Sequence, residues 1–80
     1  MEEKVIELLK NNIEDLEGVN ISPETELISG GFMESFDVIN LISELENEFN
    51  INISFDDIEL EQFNTVNSIV GIVSHFQGKD

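Results

Sequence analysis

Cysteine, arginine, tryptophan and tyrosine are absent from this chain of 80 residues, which has one proline, one histidine and three lysines. Without cysteine there is neither a disulfide staple nor a thiolate metal site. Lys4, Lys10 and Lys79 cannot build the basic face that nucleic acid requires, so nucleic acid is excluded as a partner. No apolar run approaches the ~18 residues of a membrane span. The opening Met1-Glu2-Glu3-Lys4 is not the start of a signal peptide. His75, the one histidine, leaves the catalytic toolkit nearly empty. What abounds is negative charge, with 18 acidic residues and a formal net charge of -15 at pH 7. A chain of this size supports one domain, residues 1–80, whose core nets about 3–5 kcal/mol. Self-repulsion works against that core. The expectation is a cytoplasmic, monomeric binding or carrier module, not embedded in a membrane.

The apolar pattern divides the chain. Val5, Leu9, Ile13 and Leu16, widened by Ile6 and Leu8, predict a first helix over Glu2 to Leu16, stopped by Gly18. From Glu17 to Glu34 no helical period survives, and Ile21-Ser22-Pro23 and Ser29-Gly30-Gly31 are loop signals. About 18 residues is long for a connection in a small bundle, and long ordered loops tend to be functional. Leu27, Ile28, Phe32 and Met33 are expected to pin the loop to the core. Ser35 to Phe49 then carries the strongest period, on Val38, Leu41, Ile42, Leu45 and Phe49, with Phe36 and Ile39 alongside. Its opposite face holds Asp37, Asn40, Glu44, Asn47 and Glu48. Ile51 to Phe55 alternates like a strand but has nothing to pair with, so it reads as an extended connector. A short helix is expected near Phe55 to Gln62. A last helix is expected from the cap Asn64-Thr65 to about Phe76. The fold class is all-α, with three long helices, one short helix and a long loop between the first two.

Ser35 closes the long loop and opens the best helix. As an N-cap, its hydroxyl would accept a hydrogen bond from the free N–H groups of the first turn. As an attachment point, it would place a phosphate ester at the positive end of the helix dipole. The residues alone allow both readings. The flanking Glu34 and Asp37 repel a phosphate donor, so modification would need a basic enzyme covering the site.

The run Gly31-Phe32-Met33-Glu34-Ser35-Phe36-Asp37, continuing to Phe49, resembles the acyl carrier protein signature. In that family an Asp-Ser-Leu core precedes an amphipathic acidic helix. The resemblance covers the chain in length, helix order, loop position and charge. It implies a four-helix bundle forming a single carrier domain over 1–80, with 4′-phosphopantetheine attached to Ser35 through a phosphodiester. The arm would supply the thiol that this chain lacks, and catalysis would stay in the partner enzymes. Those partners would be a phosphopantetheinyl transferase and an adenylating ligase, acyltransferase or synthase with basic docking patches. The spacing from Phe49 to Phe63-Asn64-Thr65, Gly31-Phe32-Met33 before the acid, and Phe36 after the serine fit the D-alanyl carrier proteins of cell-wall modification. Glu34 departs from the usual Asp, and Ser54 from a common proline. The resemblance leaves D-alanine, another amino acid, and a fatty or polyketide acyl group open as cargo.

Between Glu34 and Gln62 there are nine acidic residues and no basic one. Such a face either keeps the protein soluble or docks basic partners. Glu34, Asp37, Glu44 and Glu48 are the expected docking residues, with Phe36 and Met33 beside the attachment point. A different class is an acidic cation-binding protein with a degenerate EF-hand. Its ligands would be Asn50, Asn52, Ser54 and Glu61, with Phe55 at the loop position that demands glycine. Asp56 and Asp57 are adjacent and diverge on a helix, so they form no acid–base pair.

Overall fold

The computed structural model describes residues 1–54, 56 and 58–78. Three α-helices carry the fold: α1 (Glu2–Asn12), α2 (Ser35–Phe49) and α3 (Val66–Gln77). Two 3₁₀ turns, at Glu14–Leu16 and Leu60–Phe63, lie between them. Among the described residues there is no strand.

Each helix turns its apolar stripe inward. Val5, Leu8 and Leu9 of α1, Val38, Leu41, Ile42 and Leu45 of α2, and Val66, Ile69, Ile72, Val73 and Phe76 of α3 meet in one core. Phe63 is the largest side chain sealed within it. No polar or charged side chain is buried among the described residues. No described helix is long and apolar enough to cross a membrane.

The boundaries of α2 agree with the periodicity to the residue. Asn50 ends it in the left-handed conformation, φ 54°, which Asn tolerates better than most residues. At α1 the expectation is corrected, because the helix stops at Asn12 rather than Leu16. The Asn12 side chain donates to the Leu8 carbonyl at 2.8 Å, competing with the backbone ladder. Ile13 then turns extended, with φ -123° and ψ 108°. A three-residue spacing suits a 3₁₀ turn as well as an α-helix, so Ile13 and Leu16 both still reach the core.

Of the expected short helix, the described part is 3₁₀ rather than α: Asp56 and the four-residue turn Leu60–Phe63. The start of the expected segment, at Phe55 and Asp57, lies outside the described residues. Ile51 to Ser54 is an irregular connector, fixed where the Glu46 carboxylate accepts the Ile53 N–H at 2.9 Å. At α3 the cap is Thr65 alone, whose hydroxyl accepts from the Ser68 N–H at 3.2 Å. Asn64 does other work.

Candidate functional site

The loop between α1 and α2 is irregular in backbone yet closed on itself. Leu27 and Met33 are buried, and Ile28 and Phe32 pack against the core, as the sequence predicts. The Leu27 carbonyl accepts from Phe32 and Met33, both at 2.9 Å, and the Ile28 carbonyl from Gly31 at 3.0 Å. This tight turn needs its two glycines. A Cβ on Gly30 would run into the Glu26 carbonyl, and Gly31 sits at φ +85°. Asn64 reaches across from the start of α3. Its Oδ1 accepts from Ile28 at 2.8 Å and Ser29 at 3.0 Å, and its Nδ2 donates to the Ser29 hydroxyl at 2.8 Å.

Immediately after this turn the chain enters α2. Of the two readings of Ser35, the capping one falls, because Glu34 is the N-cap, in extended backbone. The Glu34 N–H donates to the Asp37 carboxylate at 3.0 Å, and the Glu34 carbonyl accepts from Val38 at 3.1 Å. The reason lies in the spacing. An acid three residues beyond the cap can reach back to the cap amide, as Asp37 does for Glu34. For Ser35 that position would be Val38, which cannot.

Ser35 is therefore free for another task. It is solvent-exposed, and among the described residues its hydroxyl has no hydrogen-bond partner. It stands in the first turn, where backbone N–H groups lack intrahelical acceptors and the dipole favours an anion. Beside it runs an apolar groove of about 200 Å³, lined by Ser35, Val38, Ile39, Ile42, Ile58, Leu60 and Phe63. Periodicity puts Ile39 alongside the core stripe, yet it is 52% exposed. Its place four residues after Ser35, with Ile42 at seven, was the available signal that the groove shares a face with the serine.

The other expected docking residues divide around α2. Phe36 also lies alongside the apolar stripe in sequence but is 71% exposed. It borders a second groove with Asn12, Ile13, Glu14, Asp15, Asp37 and Asn40. Asp37, Glu44 and Glu48 lie towards α1, and Glu48 pairs with Lys4 at 3.6 Å. At about 100° per residue, Asp37 is about 200° round the helix from Ser35, with Phe36 between them. Glu34 is exposed, Asp37 and Glu44 half-buried, and Glu48 exposed but ion-paired. Met33 is corrected as a docking side chain. At 2% exposure it anchors the loop in the core instead.

The calcium-loop residues fall on different elements. Asn50 forms the end of α2, Asn52 and Ser54 lie on the exposed connector, and Glu61 belongs to a 3₁₀ turn. Among the described residues no group of three or more His, Cys, Asp or Glu side chains could hold a metal ion. Phe55, the bulky residue at the glycine position, lies outside the described residues. His75 is exposed, with its ring edge-on to Phe76 at 5.1 Å.

Residues 3–73 match the family model described as phosphopantetheine attachment site. The chain belongs to this family. As a carrier it holds covalent 4′-phosphopantetheine and has a non-catalytic, substrate-carrying role; carrier proteins in general work with phosphopantetheinyl transferases and with ligases or synthases. Curated relatives point the same way. The D-alanyl carrier protein of Streptococcus uberis is 34% identical over 77 residues, covering 96% of this chain and 95% of the relative. That of Streptococcus suis is 36% identical over 72 residues, covering 86% and 91%. That of Staphylococcus saprophyticus is 25% identical over 75 residues, covering 94% and 95%. In fold, the carrier is similar to a holo acyl carrier protein from Nitrosomonas europaea solved by solution NMR. The TM-score is 0.78 at 24% identity, with 92% of each chain covered. The residues present fit the group, since an accessible, unpartnered hydroxyl opens α2 next to an apolar groove.

Proposed function

We propose that Ser35 is the attachment residue and that residues 1–80 form one carrier domain, acting as a cytoplasmic monomer that shuttles D-alanine between enzymes. The observation that carries this reading is the exposed Ser35 hydroxyl, relieved of capping by Glu34 and Asp37, inside the matched span. The arm, when bound, supplies the thiol that holds the cargo as a thioester. The chain's residues provide placement. Ser35 offers its oxygen to the phosphoryl donor, and the first turn of α2 presents N–H groups towards the resulting phosphodiester. The 3₁₀ turn Leu60–Phe63 takes the place of the bundle's short fourth helix and walls the groove with Leu60 and Phe63.

D-alanine as cargo rests on relatives up to 36% identical that bear that name, and on the long spacing from Phe49 to Phe63. An aminoacyl thioester carries an ammonium group, whose burial without a partner is costly. The apolar groove therefore suits the arm, while a charged cargo stays at its mouth.

Docking is proposed to straddle α2. Glu34 and Phe36 flank the serine, and Asp37, Glu44 and Glu48 form the acidic flank. A phosphopantetheinyl transferase and an adenylating ligase with basic patches would meet both. Screened charges of this kind give fast, salt-sensitive association. Loading tests the reading. After treatment with transferase and coenzyme A, an adenylating ligase with ATP should transfer D-alanine to the wild type and nothing to Ser35→Ala. Equal transfer of L-alanine or a fatty acid would remove D-alanine as the cargo.

A further inference from the structure

The loop that leads to Ser35 is tied to the start of α3 by Asn64. We propose that Asn64 is a positioning residue for loading of Ser35, its side-chain amide clamping the loop that delivers the serine. The proposal rests on Ser35 being the attachment residue.

Asn64 is itself fixed. Its N–H donates to the Glu61 carbonyl at 3.1 Å, and its carbonyl accepts from Leu27 at 2.6 Å. Its side chain then takes the next two loop amides, Ile28 and Ser29, on Oδ1, and gives one N–H to the Ser29 hydroxyl. An amide oxygen has two lone pairs, and both are used. Three successive loop residues thus hang on one asparagine. The helix beside it makes no claim on that side chain, because Thr65 caps α3. Asn67 adds a second tie, donating from its backbone to Pro23 at 3.0 Å.

From the clamp to the serine the path is short. Ile28, held by the Asn64 side chain through its N–H, takes the Gly31 N–H on its carbonyl, while Leu27, held by the Asn64 backbone carbonyl, takes those of Phe32 and Met33. Met33 is buried and leads directly to Glu34, the cap of α2, and Ser35 follows. The bond from the Glu34 N–H to the Asp37 carboxylate is exposed and local, tying the cap only to its own helix. A transferase that grips the acidic flank must still find the Ser35 oxygen within reacting distance. A misplacement of about 1 Å costs up to about a hundredfold in rate. Loss of the clamp therefore lowers turnover inside the complex more than it weakens docking.

The test compares Asn64→Ala, Asn64→Asp and Ser29→Ala as acceptors for a phosphopantetheinyl transferase with coenzyme A, well below each variant's Tm. Asn64→Ala should lower kcat about tenfold and leave KM within about twofold. Asn64→Asp keeps both acceptor contacts and should stay within about threefold of wild type. Ser29→Ala loses only the hydroxyl contact and should behave likewise. Hydrogen exchange supplies the structural readout. The Ile28 and Ser29 amides should exchange at least about tenfold faster in Asn64→Ala, and not in Asn64→Asp. Wild-type kcat in Asn64→Ala with those amides released would overturn the proposal, as would Asn64→Asp turning over as slowly as Asn64→Ala. If Asn64→Ala does not fold, Asn64→Asp and wild-type exchange still decide. Ile28 and Ser29 amides as fast as Gly30 in the wild type would mean there is no clamp. Loading of Ser35→Ala would refute the attachment assignment instead, separately from Asn64.

Discussion

Two phenylalanines of this carrier should respond to truncation in opposite ways. Phe36 is 71% exposed beside Ser35, whereas Phe63 is fully buried between α3 and the groove. An aromatic side chain offers about 200 Å², so Phe36 keeps about 60 Å² from water. At about 25 cal/mol per Å² that is worth about 1.5 kcal/mol as an upper bound. Phe36→Ala should therefore lower Tm by less than about 12 °C, at about 4–8 °C per kcal/mol for a domain this size. Phe63→Ala creates a core cavity costing about 3–5 kcal/mol, which is the whole net stability of such a core. That variant should be largely unfolded at 25 °C. Thermal melts followed by circular dichroism measure both. Transferase loading of Phe36→Ala, below its Tm, should fall about tenfold or more, since exposed aromatics next to a reacting group are typical interface anchors. If Phe36→Ala melts like Phe63→Ala, or loads at the wild-type rate, Phe36 is not a docking residue and the account of this face is wrong.

The acidic residues give further expectations. Asp37→Ala should cost about 1 kcal/mol through loss of the bond from the Glu34 N–H, whereas Asp37→Asn keeps an acceptor and should cost less, both read from Tm. Glu44→Lys and Glu48→Lys should slow association with partner enzymes at low salt, and Glu48→Lys should lose less than about 1 kcal/mol by giving up its exposed pair with Lys4. Unchanged rates at low ionic strength would reduce the acidic flank to a solubility device. At matched ionic strength magnesium and calcium should raise Tm alike, because they relieve repulsion rather than fill a built site. One tight calcium site, seen by calorimetry, would contradict this.

The parts of this fold that were legible are those that local chemistry decides. The stripe from Val38 to Phe49 has no competing period, and Thr65 with Ser68 three residues on is a self-contained cap, so α2 and α3 read correctly. The end of α1 was obscured because Ile13 and Leu16 satisfy an α-helix and a 3₁₀ turn equally. Serine is the commoner cap, and Glu34 displaces it only because Asp37 sits at the spacing that returns its carboxylate. Met33 and Phe36 flank the same serine and look alike in sequence. One is buried and the other exposed, because the loop turn and the helix face point them apart. The Asn64 clamp joins residues 35 and 36 positions apart, and no local pattern announces such a contact. Glu48 pairs with Lys4 for the same reason, through packing of α1 on α2.

The most direct measurement is the site of the arm. The chain has seven serines, and treatment with a phosphopantetheinyl transferase and coenzyme A, followed by proteolysis and tandem mass spectrometry, identifies which one is modified. One arm, on the peptide bearing Ser35 and on no other, is the predicted result. An arm on Ser29 or Ser43, or a mass unchanged with several competent transferases, would contradict it.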